Sequence, residues 1–429
     1  MHAYDAPSIA VTRFVMKVVV TLNKLVVAAC WGALFLLGTS SAHSQSLDEV
    51  LRMMAQNHPK LISARKEENS NRMDLETVER QRWPSITSVM RAQSGGGPTA
   101  TVVLEQRYWG MGRVAHQVAK QQAAIEAAHW SLLDLQQGLT SQVVVAYIEV
   151  LHLRALASVA NESIGAHQRL VEAIERRVQR NYSPEADLVL ARSRLERAKF
   201  ELLDINKKLQ AAGLNLRNLS GGQQTVTVQA LPDVTLKLHQ YPTLGPAVQA
   251  AKNYAPRMHL LQTQIASSQA DVKLREAQQW PDVVAGYQRI YNQTANHQGQ
   301  WFVELQYQPG AGFSSQAQVA SATAQVDNAR ENLRAFEHEL ATRVTSLYGD
   351  VALVNEQIPS GKALLQQLQD VATSFARQYQ IGRKNWLDVL NALRERVQAQ
   401  YTVIDLEHNL LAIQYKLLVA TGDIQAHVR

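Results

Sequence analysis

The feature that most constrains this chain is that it states its pattern twice, about 200 residues apart. Asn57-His58-Pro59-Lys60-Leu61 returns as Tyr254-Ala255-Pro256-Arg257-Met258, and Trp83-Pro84 returns as Trp280-Pro281. Val103-Leu104-Glu105 ending at Gly110 returns as Val303-Glu304-Leu305 ending at Gly310. Leu219-Ser220-Gly221 returns as Ala420-Thr421-Gly422. Solenoid repeats have periods of about 20 to 50 residues. This period is far longer, so it marks a duplicated half-protein, and whatever one half builds the other builds again. The expected divisions are a signal at 1–44, a first repeat at 45–222, a link at 223–245, a second repeat at 246–424 and a tail at 425–429.

Each half reads as helix, two strands, then two long helices. Ser46-Leu47-Asp48-Glu49 has the form of an N-cap followed by an acidic first turn. Pro59 disturbs that helix near its start; it resumes at Lys60 and stops at Trp83-Pro84, because proline disfavours helix at the residue before it. A hairpin is expected over about 85–109, with a turn at Gly95-Gly96-Gly97-Pro98 between strands 85–94 and 100–109. The second hairpin is expected over about 282–308, with strands at Val283–Tyr291 and Gln300–Gln308. These lengths equal those of membrane-crossing strands, about ten residues. Trp301, Val303, Leu305 and Tyr307 fall on one face of the last strand, while Phe302, Glu304, Gln306 and Gln308 fall on the other. Lipid outside and water inside would require that alternation, with Tyr108, Trp109, Trp301 and Tyr307 as candidate interface aromatics. A half-buried hairpin of a soluble protein alternates in the same way, so both readings stay open at this point.

After Gly112 a helical pattern runs to about Asn181, long enough to reach roughly 100 Å at 1.5 Å per residue. Tyr182-Ser183-Pro184 breaks it. The next helix carries Leu188, Ala191, Leu195, Ala198, Leu202, Ile205, Leu209, Ala212, Leu216 and Leu219 at an unbroken 3-4 spacing, a coiled-coil seam. The same positions 201 residues later are apolar except Arg396. Gly221-Gly222 and Gly422 stop the two helices. The link contains Pro232 and Pro242, with a short strand expected at Thr225 to Val228.

The N-terminus has the order of a secretory signal: Arg13, Lys17 and Lys24, then the apolar run Leu25 to Leu37, then Ser40, Ser41, Ala42 and Ser44. Cleavage is expected after Ala42 or Ser44. Val27-Ala28-Ala29-Cys30 also resembles a lipoprotein signal, although Trp31 to Leu37 continues the apolar run beyond it. Cys30 is the one cysteine of the chain, so cleavage at Ala42 or Ser44 leaves no thiol for disulfides, zinc or catalysis. The net charge of +6 is spread without a Lys/Arg block, which argues for a solvated surface and against nucleic acid. Gly95-Gly96-Gly97-Pro98 lacks the Gly-Lys-Ser/Thr ending of a phosphate loop, and the 13 histidines show no His-Glu-x-x-His spacing. The chain therefore reads as a non-enzyme without a cofactor.

Two hairpins give four strands, too few to close a barrel, and open strand edges cannot face lipid. Membrane-spanning strands would thus need several chains around one barrel. Here the sequence resembles the outer-membrane factors of the TolC type, from Ser46 to Ile424. The resemblance rests on Asn57-His58-Pro59 and Ala255-Pro256, the Trp-Pro pair before each hairpin, Ala146-Tyr147 and Leu347-Tyr348. Its most specific part is Tyr379-Gln380-Ile381-Gly382 followed by Trp386-Leu387-Asp388-Val389-Leu390-Asn391-Ala392.

That resemblance implies a mixed, mostly α fold and a homotrimer. Three chains would form a 12-stranded barrel in the outer membrane, in contact with its lipid, above an α-helical periplasmic tunnel. The implied function is a passive conduit in tripartite export, serving type I protein secretion or multidrug or metal efflux. It would open when a periplasmic adaptor (a membrane fusion protein) and an inner-membrane pump of ABC or RND type dock at its tip. The resemblance places that tip at about 181–187 and 379–388, with Asp187, Tyr379, Gly382, Lys384, Asp388 and Asn391 as gate residues. Asn391 stands where relatives can carry a second acidic ring. Measured from Tyr182 to Asp187, the first tip looks four residues shorter than the second from Tyr379 to Asp388, and its glycine looks missing. That asymmetry inclines the expectation towards type I secretion. The alternative is a periplasmic coiled-coil adaptor or scaffold without a barrel.

Overall fold

The computed structural model describes residues 46–93, 96–222, 228–231, 241–291, 298–308 and 310–424. The expected signal with Cys30, Gly95 of the first turn, most of the link with Thr225, and the tail 425–429 lie outside the described residues.

Helix α1, Leu47–Asn57, begins where Ser46 Oγ accepts from the Glu49 N–H, and Asp48 and Glu49 sit against the positive end of the helix dipole. His58 ends it and caps α2, Pro59–Arg80: its Nδ1 accepts from the Lys60 N–H at 3.3 Å. Burial and the Lys60 charge lower the imidazole pKa, which keeps that acceptor nitrogen free of a proton. Pro59 occupies the first helical position, where a missing N–H costs nothing. The second half repeats the device with α5, Leu244–Tyr254, and α6, Pro256–Gln278, joined at Ala255.

Four strands form one antiparallel sheet in chain order: β1 Ser85–Gln93, β2 Gly96–Trp109, β3 Asp282–Tyr291 and β4 Gln298–Gln306. The first hairpin is tighter than the sequence suggests, because β2 begins at Gly96 instead of about residue 100. Gly96 pairs with Gln93 beyond a register shift at Arg91, and such irregular strand ends tolerate Gly and Pro. The two hairpins join along β2 and β3, leaving β1 and β4 as edges.

Register separates the two faces of the sheet. Ile86 and Met90 pair with Leu104 and Ala100; Leu104 pairs with Tyr287; Tyr287, Ala285 and Val283 pair with Trp301, Val303 and Leu305. That face is largely apolar. The opposite face carries Ser85, Thr87, Glu105, Arg107, Asp282, Gln288, Gln300, Glu304 and Gln306.

Below the sheet the duplication is metric. Helices α3, Arg113–Gln179, and α7, Ser314–Gln380, each have 67 residues. Their partners α4, Glu185–Leu219, and α8, Trp386–Thr421, have 35 and 36. α3 packs on α4 on one side and α8 on the other; α8 lies between α3 and α7; nearer the sheet, α6 bridges α3 and α7. Helices α4 and α7 are thus the edges of a helical wall. All ten seam residues of α4 are buried or half-buried, as the 3-4 spacing requires.

α3 is long and apolar enough by composition to cross a membrane, but 56% of its most apolar 18-residue stretch is buried. Its apolar stretch, Leu139 to Val150, is core shared with α1 and the end of α8. There Tyr147 is fully buried, and its hydroxyl donates to the Gln229 carbonyl at 2.8 Å. Its repeat counterpart Tyr348 donates to the Pro242 carbonyl at 3.0 Å. The two tyrosines of the resemblance therefore tie the connecting segments to the long helices.

Candidate functional site

The tip is built by two turns of equal length. Residues 180–184 join α3 to α4, and residues 381–385 join α7 to α8. The expected four-residue difference is not there. It came from matching Tyr182 to Tyr379, whereas the structure puts Tyr182 opposite Arg383 and Val178 opposite Tyr379. The closing hydrogen bonds correspond: Asn181 N–H to Val178 O at 2.9 Å and Tyr182 N–H to Arg177 O at 2.8 Å, against Gly382 N–H to Tyr379 O at 3.0 Å and Arg383 N–H to Gln378 O at 2.9 Å. The turn needs one left-handed residue. Gly382 supplies it at φ 76°, and Asn181 supplies it at φ 61°, so asparagine takes the place of the glycine that looked missing.

Asp187 and Asp388 are true counterparts, each the third residue of its helix, where a carboxylate complements the helix dipole. Their surroundings differ. Tyr379 is 7% exposed in a cluster with Leu170 and Ile174 of α3, Leu188 of α4, and Trp386 and Leu390 of α8. It therefore sits where all four helices meet. The Arg177 guanidinium lies over its ring, 5.0 Å from the centroid, and donates to its backbone carbonyl at 3.4 Å. The phenol oxygen is buried without a hydrogen-bond partner among the described residues. Burial raises the phenol pKa, the Arg177 charge opposes that rise, and the Asp187 charge adds to it. Tyr379 and Arg177 thus form one group, with the Asp187 charge near enough to act on the phenol.

Lys384 and Asp388 form another. Their charged atoms are 3.5 Å apart, and the Lys384 ammonium also lies 4.3 Å from the Phe375 ring centroid. Gly382 is exposed at the apex of the turn. Asn391 is exposed three residues beyond Asp388, on the same side of α8. The structure does not join Tyr379 to Asp388. Arg177 was not selected from the sequence; nothing short of the fold brings it beside a residue 202 positions away.

At the other end, Tyr108, Trp109 and Tyr307 lie at the strand ends next to the helices. Trp301 lies in the outer part of β4, its ring 5.0 Å from that of Tyr287. Six residues separate Trp301 from Tyr307, about 20 Å along a strand. On the polar face at this junction is a buried carboxylate the sequence did not single out. Asp282 accepts from Arg113 Nη1 at 2.6 Å and lies 3.3 Å from Arg107 Nε. Arg113 opens α3, where the helix dipole disfavours a cation, and Asp282 offsets that charge. Gly110 leaves the room: a β-carbon there would lie 2.6 Å from Asp282 Oδ1.

The profile of the outer membrane efflux protein family matches residues 50–222. The outer membrane efflux protein BepC of Brucella suis biovar 1 (strain 1330) is 22% identical over 94% of this chain and 91% of its own. Both are likenesses to outer membrane efflux proteins. Among solved relatives of this efflux-protein fold, the outer-membrane channel OprN superposes with a TM-score of 0.75 at 18% identity, covering 88% of this chain and 89% of its own. The outer membrane protein VceC of Vibrio cholerae gives 0.72 at 16%, covering 88% and 96%. The structural likeness covers 88% of the chain, so the shared fold extends beyond the residues 50–222 that the profile matches.

Proposed function

We propose that this chain is the outer-membrane conduit of a tripartite export system, working as a homotrimer. The observation that carries this reading is the sheet: apolar on one face, polar on the other, open at β1 and β4, and continuous with paired 67-residue helices. An open edge cannot face lipid. Three copies would pair edge to edge into twelve strands, turning the apolar face outward and the polar face around water. The same count would close the helical wall. Phe200 and Leu203 on α4 are 72% and 66% exposed, and Leu353 on α7 is 60% exposed, as edges awaiting a neighbouring copy would be. A periplasmic coiled-coil scaffold without a barrel would have no use for a sheet face on which Trp301 and Val303 are 80% and 78% exposed.

In this reading the turns 180–184 and 381–385 form the periplasmic mouth, where a membrane fusion protein and an inner-membrane pump dock. Tyr379, held by Arg177 with Asp187 at the start of α4, packs the four helix ends into a closed state, and Lys384 with Asp388 forms a weaker surface tie beside Gly382 and Asn391. Docking separates the ends and opens the tunnel, and no bond is made or broken. Because the turns have equal length, the argument that inclined towards type I secretion falls away, and the family description favours efflux.

Fractionation tests the conduit. The full chain should appear in the Sarkosyl-insoluble outer-membrane fraction and migrate as a heat-resistant trimer. A soluble periplasmic monomer would sink the reading.

A further inference from the structure

The apolar face of the sheet is not smooth. A groove of about 640 Å³ crosses β2, β3 and β4, lined by Ala285, by Tyr287 and Trp301, and by Trp83 and Tyr108. Its size falls in the range of about 300–1,000 Å³ common for small-molecule sites. Arg82 lines the end nearest the helices, and its guanidinium has no hydrogen bond or ion pair among the described residues. Its backbone carbonyl is held, accepting from Gln106 Nε2 at 3.0 Å, so the base of the side chain is fixed while the head is free.

We infer that this groove binds one glycerophospholipid of the periplasmic leaflet, with an acyl chain over Ala285 and the phosphate on Arg82. The inference rests on the conduit reading, which turns this face towards lipid. A guanidinium matches phosphate in charge and in bidentate geometry. The aromatic rings around it suit the boundary between acyl chains and headgroups. Arg82 stands at the strand ends adjoining the helices, which the conduit reading places on the periplasmic side, where the leaflet is phospholipid. The duplication supplies an internal control. The counterpart of Arg82 is Gln279, which is uncharged and is occupied by a hydrogen bond to the Ser315 carbonyl at 3.4 Å. The site therefore occurs once per chain despite the two Trp-Pro turns.

The full-length protein, purified from outer membranes in detergent, would be titrated with dioleoyl phosphatidylglycerol and read by native mass spectrometry. Dioleoylglycerol, which lacks the phosphate, is the control. Wild type should retain about one phosphatidylglycerol per chain, in preference to dioleoylglycerol. Ala285→Trp, which fills the groove, should abolish retention, and Arg82→Glu should weaken it about tenfold or more through loss of the charge-assisted hydrogen bonds. Equal retention by wild type and both variants, or equal retention of the two lipids, would overturn the site. Outer-membrane fractionation of wild type is scored separately: a protein absent from that fraction overturns the conduit reading and the site with it. If Ala285→Trp fails to assemble, Arg82→Glu against the two lipids decides alone.

Discussion

The turns 180–184 and 381–385 have one backbone and two chemistries. Both have five residues, close with the same pair of hydrogen bonds and pass through a left-handed residue at the same point. Only the second has Tyr379 before it and Lys384 within it; the first has Val178 and Ser183 at those places. The sheet junction repeats the lesson. Asp282 opens β3 as a buried ion-pair centre, while Ser85 opens β1 as an exposed residue. The duplication preserved lengths and turns, which fix how copies of the wall align. Single side chains then separated the roles of the halves.

The largest break in this comparison should come from Asp282→Ala. It leaves Arg107 and Arg113 partly buried without their anion, and removing one partner of a buried pair costs about 3–5 kcal/mol. The heat-resistant oligomer should melt well below wild type, while Ser85→Ala should hardly shift it. Equal shifts would mean the junction is not held by the Asp282 cluster.

Tyr379→Ala comes next. Deleting a buried aromatic costs about 3–5 kcal/mol where the site cannot collapse, and here the loss is confined to the meeting of four helix ends. Single-channel conductance in planar bilayers should rise, and Val178→Ala should change it far less. Unchanged conductance would remove Tyr379 from the closed state. Tyr379→Phe should keep most of the closure, since the hydroxyl has no hydrogen-bond partner among the described residues. The phenol also sets a pH dependence. Its folded pKa is raised above 10.0 by burial, so its contribution is complete below the unfolded value and is lost as pH rises through the folded one. Conductance should therefore increase in strongly alkaline medium, and Tyr379→Phe should erase that step.

The turns themselves can be compared through their left-handed residues. Gly382→Ala should cost about 1–2 kcal/mol from Cβ strain, whereas Asn181→Gly relieves strain and adds chain entropy, with a net effect near zero. Limited proteolysis at the two turns reads the difference; equal protection would show that the turns are not equivalent in backbone after all. The smallest effect belongs to Lys384→Ala. An exposed pair at 3.5 Å is worth about 0–1 kcal/mol. Any gain in conductance should vanish at high salt, where the wild-type pair is already screened. A large salt-independent gain would give Lys384 a role beyond this pair.

Much of the fold was legible because local rules wrote it. Pro59 and Pro256 open helices, Trp83-Pro84 and Trp280-Pro281 close them before strands, and the seam of α4 lies where its 3-4 spacing put it. The tip was misread for an equally local reason. Tyr182 and Tyr379 look like register marks but are not counterparts, and Asn181 serves as the left-handed residue because its short polar side chain tolerates that conformation. The start of β2 was missed because glycines next to a proline look like a turn until pairing with β1 makes them strand.

The candidate gate was half legible. Asp187 and Asp388 follow from position in the repeat, but their neighbours do not. Arg177 over Tyr379, Arg113 on Asp282 and Arg82 at its groove join residues from different elements, and no local propensity records such pairings. By itself the sequence determined the duplicated parts, the long helices and the alternation of the strands, because hydrogen bonding, chain stiffness and hydrophobic period act over a few residues. Tertiary structure alone decided which turn carries the buried tyrosine, which carboxylate is buried and which arginine lines the groove. Those outcomes depend on desolvation and charge contacts between segments that meet only once the wall is built.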